Sequence, residues 1–188
     1  MNDCYNKNYN NFDWIIFFDV DEYIHLKNFD NIKLYLNQEK FKNCQKIYLN
    51  WVQHTDNNLI NYDNRTVRER FPEVETNARY NKTNRNAFVK SILKGHIPNI
   101  TIKSSHVLNR RLKGCNGFGE SQPIKGIRRQ GDNYSYYYID HYYSKSLEEF
   151  VEKINKGDSL FDQDKSWKIQ RIYKYFSISI RRILMKIN

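Results

Sequence analysis

A chain of 188 residues is one domain or most of one, and 39% hydrophobic with 15% aromatic residues supports a packed core and excludes disorder. Seven glycines, three prolines and three cysteines exclude collagen-like and disulfide-framework classes, and no apolar run reaches the roughly 18 residues of a membrane-spanning helix. The net charge of +10 is uneven: Lys165, Lys168, Arg171, Lys174, Arg181, Arg182 and Lys186 crowd one end with no acid among them, so the body is mildly basic and no nucleic acid is expected as partner.

In chain order, residues 1 to 13 are polar and read as a loose lead-in. Trp14-Ile15-Ile16-Phe17-Phe18 is a continuous apolar run, read as a strand buried on both faces. It ends abruptly in Asp19-Val20-Asp21-Glu22. Residues 30 to 41 carry Ile32, Leu34, Tyr35, Leu36 and Phe41 at helical spacing. Ile47 to Val52 reads as a second strand, and 53 to 86 as long loops. Ile100 to Val107 and Tyr134 to Tyr143 read as a third and a fourth strand. Ser146-Leu147-Glu148-Glu149 is a capping box that opens a helix to about Asn155, with Gly157 as its stop. Strands mixed with helices predict an α/β or α+β fold. The odd cysteine count and the wide spacing of Cys4, Cys44 and Cys115 predict neither a disulfide framework nor a metal knuckle, and so a reducing, cytoplasmic setting.

Two carboxylates one residue apart at the carboxyl end of a buried strand are poorly explained by packing, and that edge is where open α/β sheets bind ligands. In an extended strand Asp19 and Asp21 point the same way. Two like charges so close call for a divalent cation, Mg²⁺ or Mn²⁺, which would bridge to phosphates. A phosphatase-type DxDx(T/V) is disfavoured, because Tyr23 stands at the fifth position and no metal-binding Asp-Asp pair follows downstream. The remaining chemistry is the DxD of sugar-nucleotide transfer, in which a metal holds the leaving diphosphate.

Phe12-Asp13-Trp14-Ile15-Ile16-Phe17-Phe18-Asp19-Val20-Asp21-Glu22-Tyr23-Ile24 resembles the "W-hhh-D-x-DE-[FY]-h" segment of family 2-like glycosyltransferases, and more narrowly the family 92 group. Ile139-Asp140-His141-Tyr142-Tyr143-Ser144-Lys145-Ser146-Leu147-Glu148-Glu149-Phe150 resembles that group's "HY-x-x-KS-x-EEF" block. Trp51, Arg70-Phe71, Val89-Lys90-Ser91-Ile92 and His106 add weaker matches. The resemblance implies a partial GT-A-like mixed sheet flanked by helices. It also implies a metal-dependent, inverting transfer from a nucleotide-sugar donor to a glycan or lipid-linked acceptor. Only 13 residues precede Trp14, where the group carries a nucleotide-binding βαβ half. The expectation is therefore a carboxyl-side part of the domain over 1–164, inactive by itself or reduced to a carbohydrate-binding module, with a sheet edge prone to self-association or to pairing with another chain.

The residues then take roles. Asp19 and Asp21 are metal and diphosphate candidates, and the resemblance favours Asp21 as the direct ligand. Glu22 is either an acceptor behind the ligands or a solvated acid. His141, ending an aromatic strand, is either a third ligand suited to Mn²⁺ or a core histidine. Lys145 and Ser146 at a helix start suit a phosphate, although the cap alone explains Ser146. Lys90 meets phosphate, acceptor or solvent, and His106 reads as structural. An inverting transfer needs a carboxylate base. Glu120, on the Gly117-Phe118-Gly119-Glu120 loop, is preferred over Glu73 and Glu75. Trp51 reads as core rather than as a sugar platform. Finally, Ile169, Ile172, Tyr173, Phe176, Ile180, Ile183, Leu184 and Ile187 form one stripe against the basic residues of 165–188. That pattern is a basic amphipathic helix, either peripheral on an anionic membrane surface or docked on another part of the domain.

Overall fold

The computed structural model describes residues 1–74, 88–106, 111–121, 136–143 and 145–156. The run 165–188, Gly157, Val107 and Glu75 lie outside these. The chain divides into two compact units, Met1–Gln53 with Thr76–His141, and His54–Glu75 with Tyr142–Asn188.

The first unit is built on one mixed sheet. Its elements are helix α1 (Asn2–Asn8), strands β1 (Trp14–Ile16) and β2 (Glu22–Leu26), helix α2 (Ile32–Leu36), a 3-10 turn (Glu39–Phe41), and strands β3 (Lys46–Gln53), β4 (Val89–Lys94), β5 (Gly114–Asn116) and β6 (Tyr137–His141). The strand order is β1-β4-β3-β6-β2, and β5 pairs beside β3. β4 is antiparallel to β1 and β3, β2 is antiparallel to β6, and β6 and β5 run parallel to β3.

Register and the two-residue period sort the side chains onto two faces. Ile16 pairs with Ile92, Ile92 with Ile47, Trp51 with Ile139, and Ile139 with Ile24. These residues therefore share a face, which packs with Tyr35, Phe41, Leu49 and Tyr137 into the main core. On the opposite face Leu93 joins Tyr5, Ile100 and Ile102.

Four sequence expectations need correction here. The lead-in is helix α1: Tyr5 is fully buried, and its hydroxyl donates to the carbonyls of Lys94 and Ile97. A polar sequence concealed it because a single aromatic does the docking. The Trp14 run is a three-residue, half-buried strand at the sheet edge rather than one covered on both faces. Residues 100–104 form no strand, because the Asn2 amide pairs with both the N–H and the carbonyl of Ile102 and takes the place of a neighbouring strand. Lastly, Cys44 and Cys115 form a disulfide with Cα atoms 5.8 Å apart. β5 runs beside β3 and brings Cys115 opposite Ile47, so sequence spacing says nothing of distance.

The helical pattern of 30–41 is realised as α2, whose N-cap Asn31 accepts from the Leu34 N–H, and the 3-10 turn after it. A cavity of about 470 Å³ lies between α2 and β1, lined by Phe12, Trp14, Ile16, Ile32, Leu36 and Ile92 among others.

In the second unit, helix α3 (Val67–Arg70) breaks the stretch read as loop, and Thr66 with Glu69 forms its capping box. Helix α4 (Leu147–Lys156) opens as the sequence predicts: Ser146 Oγ donates to Glu149 Oε2 at 2.7 Å, and the Glu149 N–H donates back to Ser146 Oγ. Arg70 clasps Glu149 through both terminal nitrogens, at 2.6 and 3.2 Å.

Candidate active site

Along the main-core face, several strand rows turn polar at the same end of the sheet. The row Ile47, Leu49, Trp51 ends in Gln53. Ile139 is followed two residues on by His141, Ile24 is preceded by Glu22, and Ile92 is preceded by Lys90. Register places Gln53 and Glu22 each beside His141; Lys90 pairs with Leu49, further back on β3, and its long side chain reaches Glu22 at 3.2 Å. Glu22, Lys90, Gln53 and His141 are all buried. A buried polar cluster is costly unless its members satisfy one another, and these largely do.

His141 Nε2 lies 3.8 Å from Asp21 Oδ1, with both residues buried. His141 Nδ1 is 3.0 Å from Gln53 Oε1. The two ring nitrogens thus face two different oxygens, the Gln53 amide on one side and the Asp21 carboxylate on the other. The imidazole also packs against the Trp51 indole, ring centroids 4.1 Å apart, and Trp51 in turn meets Phe88 and His106. Trp51 is therefore a wall of the site rather than an open platform. His106 Nδ1 faces the Val89 carbonyl at 2.9 Å, and burial lowers its pKa and keeps the ring neutral.

Asp19 does not join Asp21. The same-side expectation assumed an extended chain, but Val20 and Asp21 form a turn in which the Glu22 N–H donates to the Asp19 carbonyl at 3.1 Å. The two carboxylates have different partners, Lys90 for Asp19 and His141 for Asp21. Asp19, with its side chain 63% exposed, meets Lys90 Nζ at 2.8 Å. The same ammonium is 3.2 Å from Glu22 Oε2 and donates to Ser105 Oγ at 2.9 Å. Glu22 Oε2 also accepts from the Asp19 N–H at 3.0 Å. Burial raises the Glu22 pKa, against the lowering pull of the Asp19 N–H and Lys90. Its Oε1 is buried with no hydrogen-bond partner among the described residues. Glu22 is thus an inner acceptor and not a solvated acid.

The other candidates sit elsewhere. Glu120 is exposed, and its carboxylate accepts from the Asn116 amide at 2.6 Å in a closed turn after β5. Asn116 pairs with Tyr48, so Gln53 lies roughly 16 Å further along β3 at the usual strand rise. Glu120 is not gathered with Asp21 and His141. Lys145 and Ser146 belong to the second unit. Lys145 adopts φ 51° just before α4, and the Ser146 hydroxyl is taken by Glu149. Gln53 and Ser105 were not singled out from sequence. The signal for Gln53 was a polar residue ending a period-two apolar row. Ser105 had none.

Among the described residues no group of three or more His, Cys, Asp or Glu is arranged to hold a metal ion. The fit to a cation rests on two donors, the Asp21 carboxylate and the His141 imidazole, with the unclaimed Glu22 oxygen next to Asp21 in the chain. A carboxylate and an imidazole are donors that a divalent cation could take alongside water and substrate oxygens.

A mixed sheet flanked by helices, with two aspartates in the turn that follows its edge strand, is the architecture of a partial GT-A-like fold. The sequence matches glycosyltransferase family 92 over residues 1–177, and the chain belongs to that family. No curated protein matches the sequence.

Proposed function

We propose that this glycosyltransferase moves a sugar from a nucleotide-sugar donor to a glycan or lipid-linked acceptor, with inversion, and that Asp21 and His141 hold a divalent cation for the donor's diphosphate. The observation that carries this reading is the buried Asp21–His141 pair at the polar end of the core face. When bound, the cation offsets charge on the departing diphosphate. Gln53 orients the His141 ring. Trp51, backed by Phe88, covers one side of the imidazole. Buried donors in a low-dielectric site act more strongly on developing charge than solvated ones do. The basic run of 165–188 suits an anionic membrane surface, close to a lipid-linked acceptor.

Calorimetric titration of a nucleoside diphosphate with and without Mn²⁺ tests the reading. Binding should require Mn²⁺ and should be lost in Asp21→Ala and in His141→Ala. Metal-independent binding, or binding that survives both substitutions, defeats it.

A further inference from the structure

Lys90 is 1% exposed, so little of its side chain is available to a ligand. Its ammonium is enclosed by Asp19 Oδ2, Glu22 Oε2 and Ser105 Oγ, all within 3.2 Å. These three acceptors match the three hydrogens of an ammonium. Asp19 and Glu22 are the two ends of the turn that carries Asp21, and each also holds the other: the Asp19 N–H donates to Glu22 Oε2, and the Glu22 N–H to the Asp19 carbonyl. Val20, at the tip, is 93% exposed and contributes little packing. The turn is therefore held by polar contacts at its base. Lys90 adds the tie to β4, whose central register is set by pairing with β3.

We infer that Lys90 is a positioning residue that clamps the Asp19–Glu22 turn onto β4 and so aims Asp21 at His141, and that it does not contact the donor's phosphates. A lysine in the Val89-Lys90-Ser91-Ile92 segment invites the phosphate role. Burial and three occupied hydrogens argue against it. A phosphate would have to displace one of these three acceptors, and two of them are carboxylates already paired with the ammonium. The inference rests on reading Asp21 and His141 as the donor site, but its main test does not need that reading.

The test is amide hydrogen exchange on the metal-free chain, followed at Asp19 and Glu22, with the β3 amides as internal reference. Lys90→Met should speed exchange at both turn amides about tenfold or more while β3 stays protected. Should Lys90→Met fail to fold, the double variant Lys90→Met/Glu22→Gln removes both buried charges together and carries the same expectation. Wild-type protection of the turn amides in the folded variant overturns the clamp. A Mn²⁺ titration of the same proteins adds a readout that a purely scaffolding lysine would not move: Mn²⁺ affinity should fall about tenfold with the loosened turn. Unchanged Mn²⁺ affinity together with lost nucleoside diphosphate binding would instead make Lys90 a substrate contact and overturn the inference. Absence of Mn²⁺ binding in the wild type would sink the metal reading alone, since the exchange result still decides the clamp.

Discussion

His141 Nε2 stands 3.8 Å from Asp21 Oδ1, one at the end of β6 and the other in the turn that leads into β2. The contact exists because β2 and β6 are antiparallel neighbours and Glu22 pairs with His141, which sets the residue before Glu22 beside the imidazole. Asp21→Asn keeps the shape of the side chain and removes its charge. Sugar transfer should fall about 10²-fold or more, with little change in thermal midpoint. Initial rates at saturating donor, alongside a melting curve, check both halves of this expectation.

The Cys44–Cys115 disulfide spans a sequence separation of 71 and joins the loop before β3 to β5. Closing a loop of that length restricts the unfolded chain, with a typical stabilisation of about 2–4 kcal/mol. Urea unfolding with and without reductant should differ by this amount. Cys115→Ala should behave like the reduced protein and should no longer respond to reductant.

Glu149 serves the Arg70 guanidinium and the cap of α4 together. Burial alone would raise its pKa, but hydrogen bonds from Arg70 and Ser146 outweigh it and hold the carboxyl below its usual value. The folded value is thus depressed, so the stabilisation is full above the unfolded value of 4.5 and is lost as pH falls through the folded one. Glu149→Gln should destabilise the protein at neutral pH, and the gap to wild type should close on acidification below pH 4.5. Parallel melts across that window give the answer.

Lys46 opens β3 almost wholly buried, and burial lowers its pKa to about 8. With the folded value below the unfolded 10.5, its stability contribution is full above pH 10.5 and declines as pH falls toward about 8. At neutral pH the charging cost is fully present. Lys46→Met should therefore raise the thermal midpoint by a few degrees at neutral pH. The gain should shrink to nothing near pH 10.5, and a gain that is constant with pH would contradict the assignment.

Gly119 sits at φ +85°, and a Cβ there would come within 2.7 Å of the Lys40 carbonyl. Gly119→Ala should cost more than the roughly 1 kcal/mol of an ordinary left-handed glycine, because the backbone oxygen cannot swing away. Chemical denaturation of the variant measures it.

Local signals made part of this protein legible. β3 and β6 announced themselves as apolar and aromatic runs, and α4 as a Ser146–Glu149 box, since period and cap depend only on neighbours in the chain. α1 was missed because one aromatic, Tyr5, does its docking. The strand expected at Ile100 was apolar enough, but the Asn2 side chain claims the backbone of Ile102. A donor and an acceptor supplied from a distant helix leave no trace in the local pattern.

The candidate site divides in the same way. By itself, the sequence determined that Asp19, Asp21, Glu22 and His141 were residues to watch, and through its motifs it determined the glycosyltransferase family. Only the tertiary structure decided their partners. A turn at Val20 and Asp21 separates the two aspartates that an extended strand would have aligned, and sends one to Lys90 and the other to His141. Strand order brings Cys44 to Cys115 and Gln53 to His141, and takes Glu120 to the far half of β3. These outcomes depend on register between segments far apart in the chain. A one-residue slip would turn each of these side chains to the other face, and no local propensity encodes that choice.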